Sequence, residues 1–377
     1  MELNIVIPVY NRLASIKRLI ASLLASHIEY GVDLIISCEA DTSVDVCEYV
    51  KQIVWPFGKF AVLRQEKQLG VDAHNLACMR MAEELGSVLV LEDDLVVSPY
   101  FQKYLFACEK IMQTNIAGVA LYRYGILEQD HFPFTLIPNA EFVYYQQRAC
   151  SKGTYYTWDM LQLYFDFLEN FDGDFSSYHL PRNVQRWGDE VWEKSFYCYL
   201  ISSGNYLAFP RFSFTTDFAD VGVHMKSQVL KYVHQSPLYL SSSIGPITSV
   251  EKTDNRYDQF YELDAAVVQS WNNQLSGFDF EMDMYGRKEL RSIKSPYLLS
   301  SKTTKNAIMG WDRRLKPEIN NILLNQVGNV LSLAETADFE DEVSISLQEK
   351  FIYYFPNTKL TDLIKMKVAE IVSRFTT

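Results

Sequence analysis

The chain has 377 residues, 48% hydrophobic and 14% aromatic, enough to bury a large core and to build one to three domains. Its 35 Lys+Arg against 47 Asp+Glu leave a net charge of −12 with no long basic run, which argues against nucleic acid as a primary partner. No window approaches the ~20 apolar residues of a membrane span, and the start of the chain lacks the basic region and cleavage site of a signal peptide.

The predicted elements alternate. Leu3 to Pro8 reads as a buried strand, followed by Asn11-Arg12 and by a helix over 14–26 whose Ile16, Leu19, Ile20, Leu23 and Leu24 keep helical spacing, with Ser15 able to cap it. Val32 to Cys38 is a second strand running into Glu39 and Asp41, and 43–54 is helical. Phe60 to Leu63 is a short third strand. The stretch from Leu69 through Asp72 and His74 opens a helix reaching Glu84, and the apolar run Ser87 to Leu91 is a strand ending in Glu92-Asp93-Asp94. Strands separated by helices predict an α/β fold with a mostly parallel, doubly wound sheet. Such sheets bind ligands beyond the carboxyl ends of their strands, where Arg12, Glu39, Asp41, Asp72, His74 and the three acids would meet.

After residue 117 the pattern changes. A strand over 117–124 precedes an aromatic, Pro-containing loop. Lys152-Gly153-Thr-Tyr-Tyr-Thr-Trp158 is expected to open a helix, Trp187-Gly188-Asp189-Glu190 to start another, and Asn205 to Phe209 to form a strand. A loop from Pro210 to His224 follows. Beyond about 236 the composition turns Ser- and Asn-rich, so a boundary is placed there. The first region is 1–236. The second, 237–377, is expected to be smaller and mainly helical, with helices over 319–334 and at the C-terminus. The six cysteines, scattered among apolar residues without CxxC pairs, read as reduced thiols of a cytoplasmic protein.

Three adjacent acids repel one another and lose hydration on burial unless a cation compensates them. The residues alone leave two readings, an acidic turn at a strand end and a divalent-metal site. Arg12 suits a phosphate or a base edge, or is a surface cation. Glu39 and Asp41 can accept from a nucleoside or cap a helix, and Asp189 and Glu190 can act as a general base or simply begin a helix. Trp187, Trp158, Trp192 and Tyr155 are candidates for stacking on a sugar face, Trp187 foremost for its neighbours. The last helix sets Leu360, Leu363, Ile364, Val368, Ile371, Val372 and Phe375 against Lys359, Lys365, Lys367 and Arg374. That stripe can pack on its own domain or lie on a membrane surface.

Taken in order, the opening Ile5-Val-Ile-Pro-Val-Tyr-Asn-Arg12, the Glu92-Asp93-Asp94 run with its apolar tail, Lys152-Gly153, the acids after Trp187 and the loop carrying Ser213, Thr215, Phe218, Gly222 and His224 resemble the GT-A glycosyltransferases. Within that group they are similar to inverting enzymes of the N-acetylglucosaminyltransferase I kind. The resemblance covers about residues 1–235. It implies a Rossmann-like sheet, a UDP-sugar donor, a glycan or lipid-linked acceptor, and Mn²⁺ or Mg²⁺ on Asp94, with His224 assisting the metal or a phosphate. Arg12, Glu39, Asp41, Asp72, His74, Glu92, Asp93 and Ser213 would line the donor, and Trp158 and Trp187 the acceptor. Asp189 is the first choice for the base that removes the acceptor proton, with Glu190 second. A sugar-phosphate nucleotidyltransferase and a non-catalytic glycan- or nucleotide-binding module are the competing functions.

Overall fold

The run Leu3–Val9 (β1) has no hydrophilic side long enough to face water, and six of its seven residues are buried. It lies inside a nine-stranded sheet in a computed structural model that describes residues 3–29, 31–112, 115–129, 132–218, 220, 235–341 and 359–373. The other strands of this sheet, or of the ribbon beside it, are Val32–Cys38 (β2), Phe60–Arg64 (β3), Ser87–Val90 (β4), Leu95–Val97 (β5), Ile116–Ala120 (β6), Val143–Gln146 (β7), Thr154–Thr157 (β8), Tyr206–Pro210 (β9), Thr215–Asp217 (β10) and Arg256–Tyr257 (β11). The order is β11-β7-β9-β6-β8-β4-β1-β2-β3, while β5 and β10 form a separate two-stranded antiparallel ribbon.

Direction decides which side chains meet. The pairs β1–β2, β1–β4, β2–β3 and β6–β9 are parallel, and β8 is antiparallel to both β4 and β6. The carboxyl ends of β1, β2, β3, β4, β6 and β9 therefore share one edge of the sheet with the amino end of β8.

Helices cover both faces, as a parallel sheet requires. Leu13–Leu24 (α1), Val44–Val50 (α2) and Phe101–Cys108 (α5) bury Ile16, Leu19, Leu23, Val46, Val50, Phe101 and Leu105 in one core with Ile5, Ile7, Leu34 and Ile36. Val71–Arg80 (α3) and Ala82–Leu85 (α4) pack with Trp158–Asn170 (α6), and α3 also packs with Trp192–Ser203 (α8). Arg182–Gln185 (α7) and Ala265–Trp271 (α9) are short. All six cysteines are free thiols, five of them buried.

Three expectations change in the structure. Ser15 does not cap α1: the cap position is Arg12, and the Ser15 hydroxyl donates to Asp220. Thr154-Tyr-Tyr-Thr157 is a strand, because its β-branched and aromatic side chains fit a slot between β4 and β6, and the helix starts only at Trp158. The helix expected over 319–334 forms only at Asn320–Leu323 (α10). The residues Leu331–Glu335 (β15) instead make a strand, buried at four of five positions.

The chain divides into two compact units, Met1–Phe278 with Arg313–Gln326, and Asp279–Asp312 with Val327–Thr377. Residues after 236 thus still contribute β11, α9 and α10 to the first unit. In the second unit Phe280–Asp283 (β12), Tyr297–Ser300 (β13), Met309–Trp311 (β14) and β15 form a sheet in the order β12-β13-β15-β14. Its expected C-terminal helix is Leu360–Ser373 (α11), in which Ile364 and Val368 are exposed. Among the described residues no helix is long and apolar enough to cross a membrane.

Candidate active site

Where β4 ends, the chain turns at Glu92-Asp93-Asp94 and enters β5 directly. The turn is held by Leu95 N–H on Glu92 O at 3.3 Å and by Phe218 N–H on Asp94 O at 3.1 Å. Asp93 and Asp94 are buried. Arg12, at the end of β1 in the neighbouring strand, faces them. Its Nη1 donates to Asp94 Oδ2 at 2.6 Å, its Nε to Asp93 Oδ2 at 3.4 Å, and its Nη2 to Asp93 Oδ1. Such a fork satisfies two carboxylates with one planar group, which Lys cannot do. Burial alone would weaken the Arg12 cation, but Asp93 and Asp94 more than offset this and hold it charged.

The acids remain under electrostatic load. Burial pushes Asp93 up to about 6 against the pull of Arg12. Glu92 is pushed well above the usual carboxylate range by burial and then by Asp94 and Glu193, with Lys152 and Arg12 opposing. Asp94 Oδ1 is buried and has no hydrogen-bond partner among the described residues. A buried carboxylate oxygen left without a donor, amid acids that retain protons too readily, is what a divalent cation would relieve. Among the described residues no three His, Cys, Asp or Glu side chains are already gathered in metal-binding positions. An ion held here would therefore take part of its coordination from a ligand.

Lys152 was not predicted as a site residue, and the antiparallel direction of β8 is what brings it to this edge. Its Nζ pairs with Asp217 Oδ2, and its carbonyl accepts from Thr215 Oγ1 at 2.6 Å, tying β8 to β10. Burial disfavours this cation, yet Asp217 and then Tyr122 raise its pKa. Gly153 makes the bend before β8 at φ +90, and a Cβ there would come within 3.0 Å of Leu91 and 3.1 Å of Thr215. A second unpredicted cation, Arg18 in α1, pairs with Asp220 and lies 3.9 Å from the centre of the Phe218 ring. Arg12, Arg18 and Lys152 thus stand among Glu92, Asp93, Asp94, Asp217 and Asp220, alternating in sign.

The candidate base residues separate by environment. Asp189 and Glu190 lie in the exposed turn before α8, and the Asp189 side chain is 78% exposed while pairing with Lys194 Nζ at 2.7 Å. Glu193, in the first turn of α8, is half-buried. Burial lifts it to about 7, with Asp72 and Glu128 adding to the rise and Ser151 opposing it. It is near enough to Glu92 to raise that group in turn. Asp72 accepts the Trp192 N–H at 3.1 Å and so caps α8, which explains why that first turn meets the sheet edge at all. The signal for Glu193 in the sequence is its place beside Trp192, one turn beyond Asp189 and Glu190.

Other predicted residues are engaged locally. Both Glu39 oxygens accept backbone N–H groups, from Leu69 and Gly70 at 2.9 Å each, and shape the loop before α3. His74 Nδ1 lies 3.4 Å from Glu39 and its Nε2 lies 2.7 Å from Ser37 Oγ; burial lowers its pKa, so it is a neutral core imidazole. Asp41 accepts from the Tyr10 hydroxyl at 3.2 Å. Ser213 is buried, donating to Thr215 O at 2.7 Å and accepting from Arg123 N–H at 3.0 Å. Trp187 is half-buried against Tyr197. Trp158 is not brought to the acids: its N–H bonds Gly86 O, at the amino end of β4 and so the opposite edge of the sheet. His224 lies outside the described residues.

Residues 4–126 match the family described as Glycosyl transferase family 2. That segment runs from β1 through the acids and β6, so the matched part contains Arg12, Arg18 and the 92–94 turn, and its alternation is that of the GT-A fold which the sequence resemblance implies. No curated protein matches the chain. Solved structures similar to it include S. aureus TarS 1-349 in complex with UDP-GlcNAc, at 13% identity and a TM-score of 0.37, covering 60% of this chain and 61% of that one. Another is the mannosyltransferase PcManGT from Pyrobaculum calidifontis in complex with GDP-Man and Mn²⁺, at 9% identity and a TM-score of 0.35, covering 56% and 58%. The chain spans less than two thirds of each of these proteins.

Proposed function

We propose that the protein is an inverting, metal-dependent glycosyltransferase that moves a sugar from a UDP-sugar to a hydroxyl of a glycan or lipid-linked acceptor. The observation that carries this reading is the ligand-edge cluster of Arg12, Asp93 and Asp94, with Asp94 Oδ1 left unbonded among the described residues, inside a segment matching a glycosyltransferase family.

In this reading Asp94, with Asp93 beside it, would hold Mn²⁺ or Mg²⁺, which when bound would supply electrophilic stabilisation to a leaving diphosphate. Arg12, Arg18 and Lys152 are the cations of this edge, and they exchange their carboxylate partners for phosphate oxygens when donor arrives. Glu92 faces the donor sugar. Glu193 takes the proton of the acceptor hydroxyl as its oxygen attacks the anomeric carbon opposite the leaving group, a role its burial and position support better than the solvent-facing Asp189 and Glu190. Trp187 remains the acceptor-stacking candidate.

The test is turnover of UDP-sugars, read as hydrolysis or transfer with and without Mn²⁺ or Mg²⁺. Activity should need the metal, stop with EDTA, and fall by roughly a hundredfold or more in Asp94→Ala. Full activity in that variant refutes the assignment, and pyrophosphate release from UTP would identify a nucleotidyltransferase instead.

A further inference from the structure

Arg12 already neutralises the acids to which a divalent cation is assigned. Its Nη1 donates to Asp94 Oδ2 at 2.6 Å, its Nη2 to Asp93 Oδ1, and its Nε to Asp93 Oδ2 at 3.4 Å. One guanidinium thus engages both oxygens of Asp93 and one of Asp94, and only Asp94 Oδ1 has no hydrogen-bond partner among the described residues. Both carboxylates are buried, so water and salt screen this pairing weakly. Arg18 is a further cation close enough to act on Asp93, Asp94 and Arg12.

The acids therefore suit a divalent ion and carry a competitor for it. While Oδ2 holds the guanidinium, Asp94 can offer a metal little more than Oδ1, and two cations on one buried carboxylate repel each other. A nucleoside diphosphate changes this balance in two ways. Its oxygens supply ligands that the chain does not gather by itself, since no three metal-binding side chains are clustered among the described residues. They also offer Arg12 a planar, forked acceptor to replace the one it has in Asp93 and Asp94.

We propose that Arg12 is a built-in counter-cation that makes metal binding at Asp94 conditional on a nucleoside diphosphate. With Arg12 on the acids the metal binds weakly alone, and the diphosphate draws the guanidinium away so that metal and nucleotide bind together. The coupling is reciprocal, so the metal tightens the nucleotide by the same factor. This inference rests on the reading of Asp94 as the metal ligand.

Titration with Mn²⁺ followed by electron paramagnetic resonance, in which bound ion leaves the free-ion signal, reads the affinity without turnover. Wild type is expected to bind Mn²⁺ roughly tenfold or more tightly with UDP than without it. Arg12→Gln should bind Mn²⁺ alone roughly fivefold or more tightly than wild type, whereas Arg12→Lys, which keeps the charge, should stay near wild type. Adding Asp94→Asn to Arg12→Gln should abolish the gain, which assigns it to this carboxylate. Arg12→Gln also leaves two buried carboxylates uncompensated, so its thermal midpoint should lie below that of wild type and rise more than wild type's on adding Mn²⁺ alone. Mn²⁺ that binds with UDP but no more tightly to Arg12→Gln than to wild type overturns the counter-cation role and leaves the metal reading standing. A gain in Arg12→Lys equal to that in Arg12→Gln also overturns it, since the charge would then be irrelevant. Wild type that binds no Mn²⁺ even with UDP overturns both.

Discussion

Glu193 and Asp93 show how position, more than residue type, sets acidity here. Glu193 holds its proton up to about 7, whereas an unperturbed Glu releases it near 4.5. Because the folded state binds this proton more tightly than the unfolded chain, the group's contribution to stability is complete below about pH 4.5 and is lost as pH rises through about 7. Glu193→Gln should therefore match wild type in thermal unfolding at about pH 4.5 and exceed it at about pH 8. Transfer needs the ionised carboxylate, so kcat should climb over the same window and fall by roughly a hundredfold or more in Glu193→Gln, while Asp189→Asn keeps most activity. A transfer rate unchanged in Glu193→Gln would return the base role to Asp189 or Glu190. At this scale the sequence was informative about Arg12 and the 92–94 acids, since all sit at ends of strongly patterned strands. It said little about Lys152, Arg18, Asp217 and Asp220, whose partners are scores of residues away along the chain.

At the scale of elements, β8 governs the site. It runs antiparallel between β4 and β6, so its first residues, not its last, reach the edge where the acids lie. Gly153 makes this entry possible, because an L side chain at φ +90 is strained and a Cβ would press on Leu91 and Thr215. Gly153→Ala is expected to cost about 1–2 kcal/mol from the backbone term alone. Denaturant unfolding measures that loss, and a parallel rise in KM for the donor would register displacement of Lys152. The Thr-Tyr-Tyr-Thr run was legible as a strand former, yet its neighbours on the helical side pulled the sequence reading toward a helix. Which tendency prevails depends on the open slot between β4 and β6, which exists only in the assembled sheet.

For the molecule as a whole, the division into compact units does not follow chain order. Residues 313–326 belong with the first unit: Ile319 and Ile322 are buried, and Asn272 Nδ2 donates to Ile322 O at 2.9 Å. A chain ended after 278 loses that acceptor and exposes the surface these residues cover. Its thermal midpoint should fall relative to the full chain, by an amount corresponding to about 2–4 kcal/mol for two buried aliphatic side chains and a buried amide. An unchanged midpoint would mean the segment is dispensable to the first unit.

The sequence by itself determined the class of the fold, because hydrophobic period and turn chemistry are local properties and the first four strands and their helices carry both clearly. It also singled out the acidic turn, since charge directly after a buried strand is unfavourable without a purpose. Tertiary structure alone decided which cations meet those acids, that Glu193 is half-buried while Asp189 faces water, and that Trp158 lies at the far edge. Each of these depends on strand direction and on helix packing between residues distant in the chain, and those contacts set a guanidinium against the 92–94 turn and leave one Asp94 oxygen without a hydrogen-bond partner among the described residues.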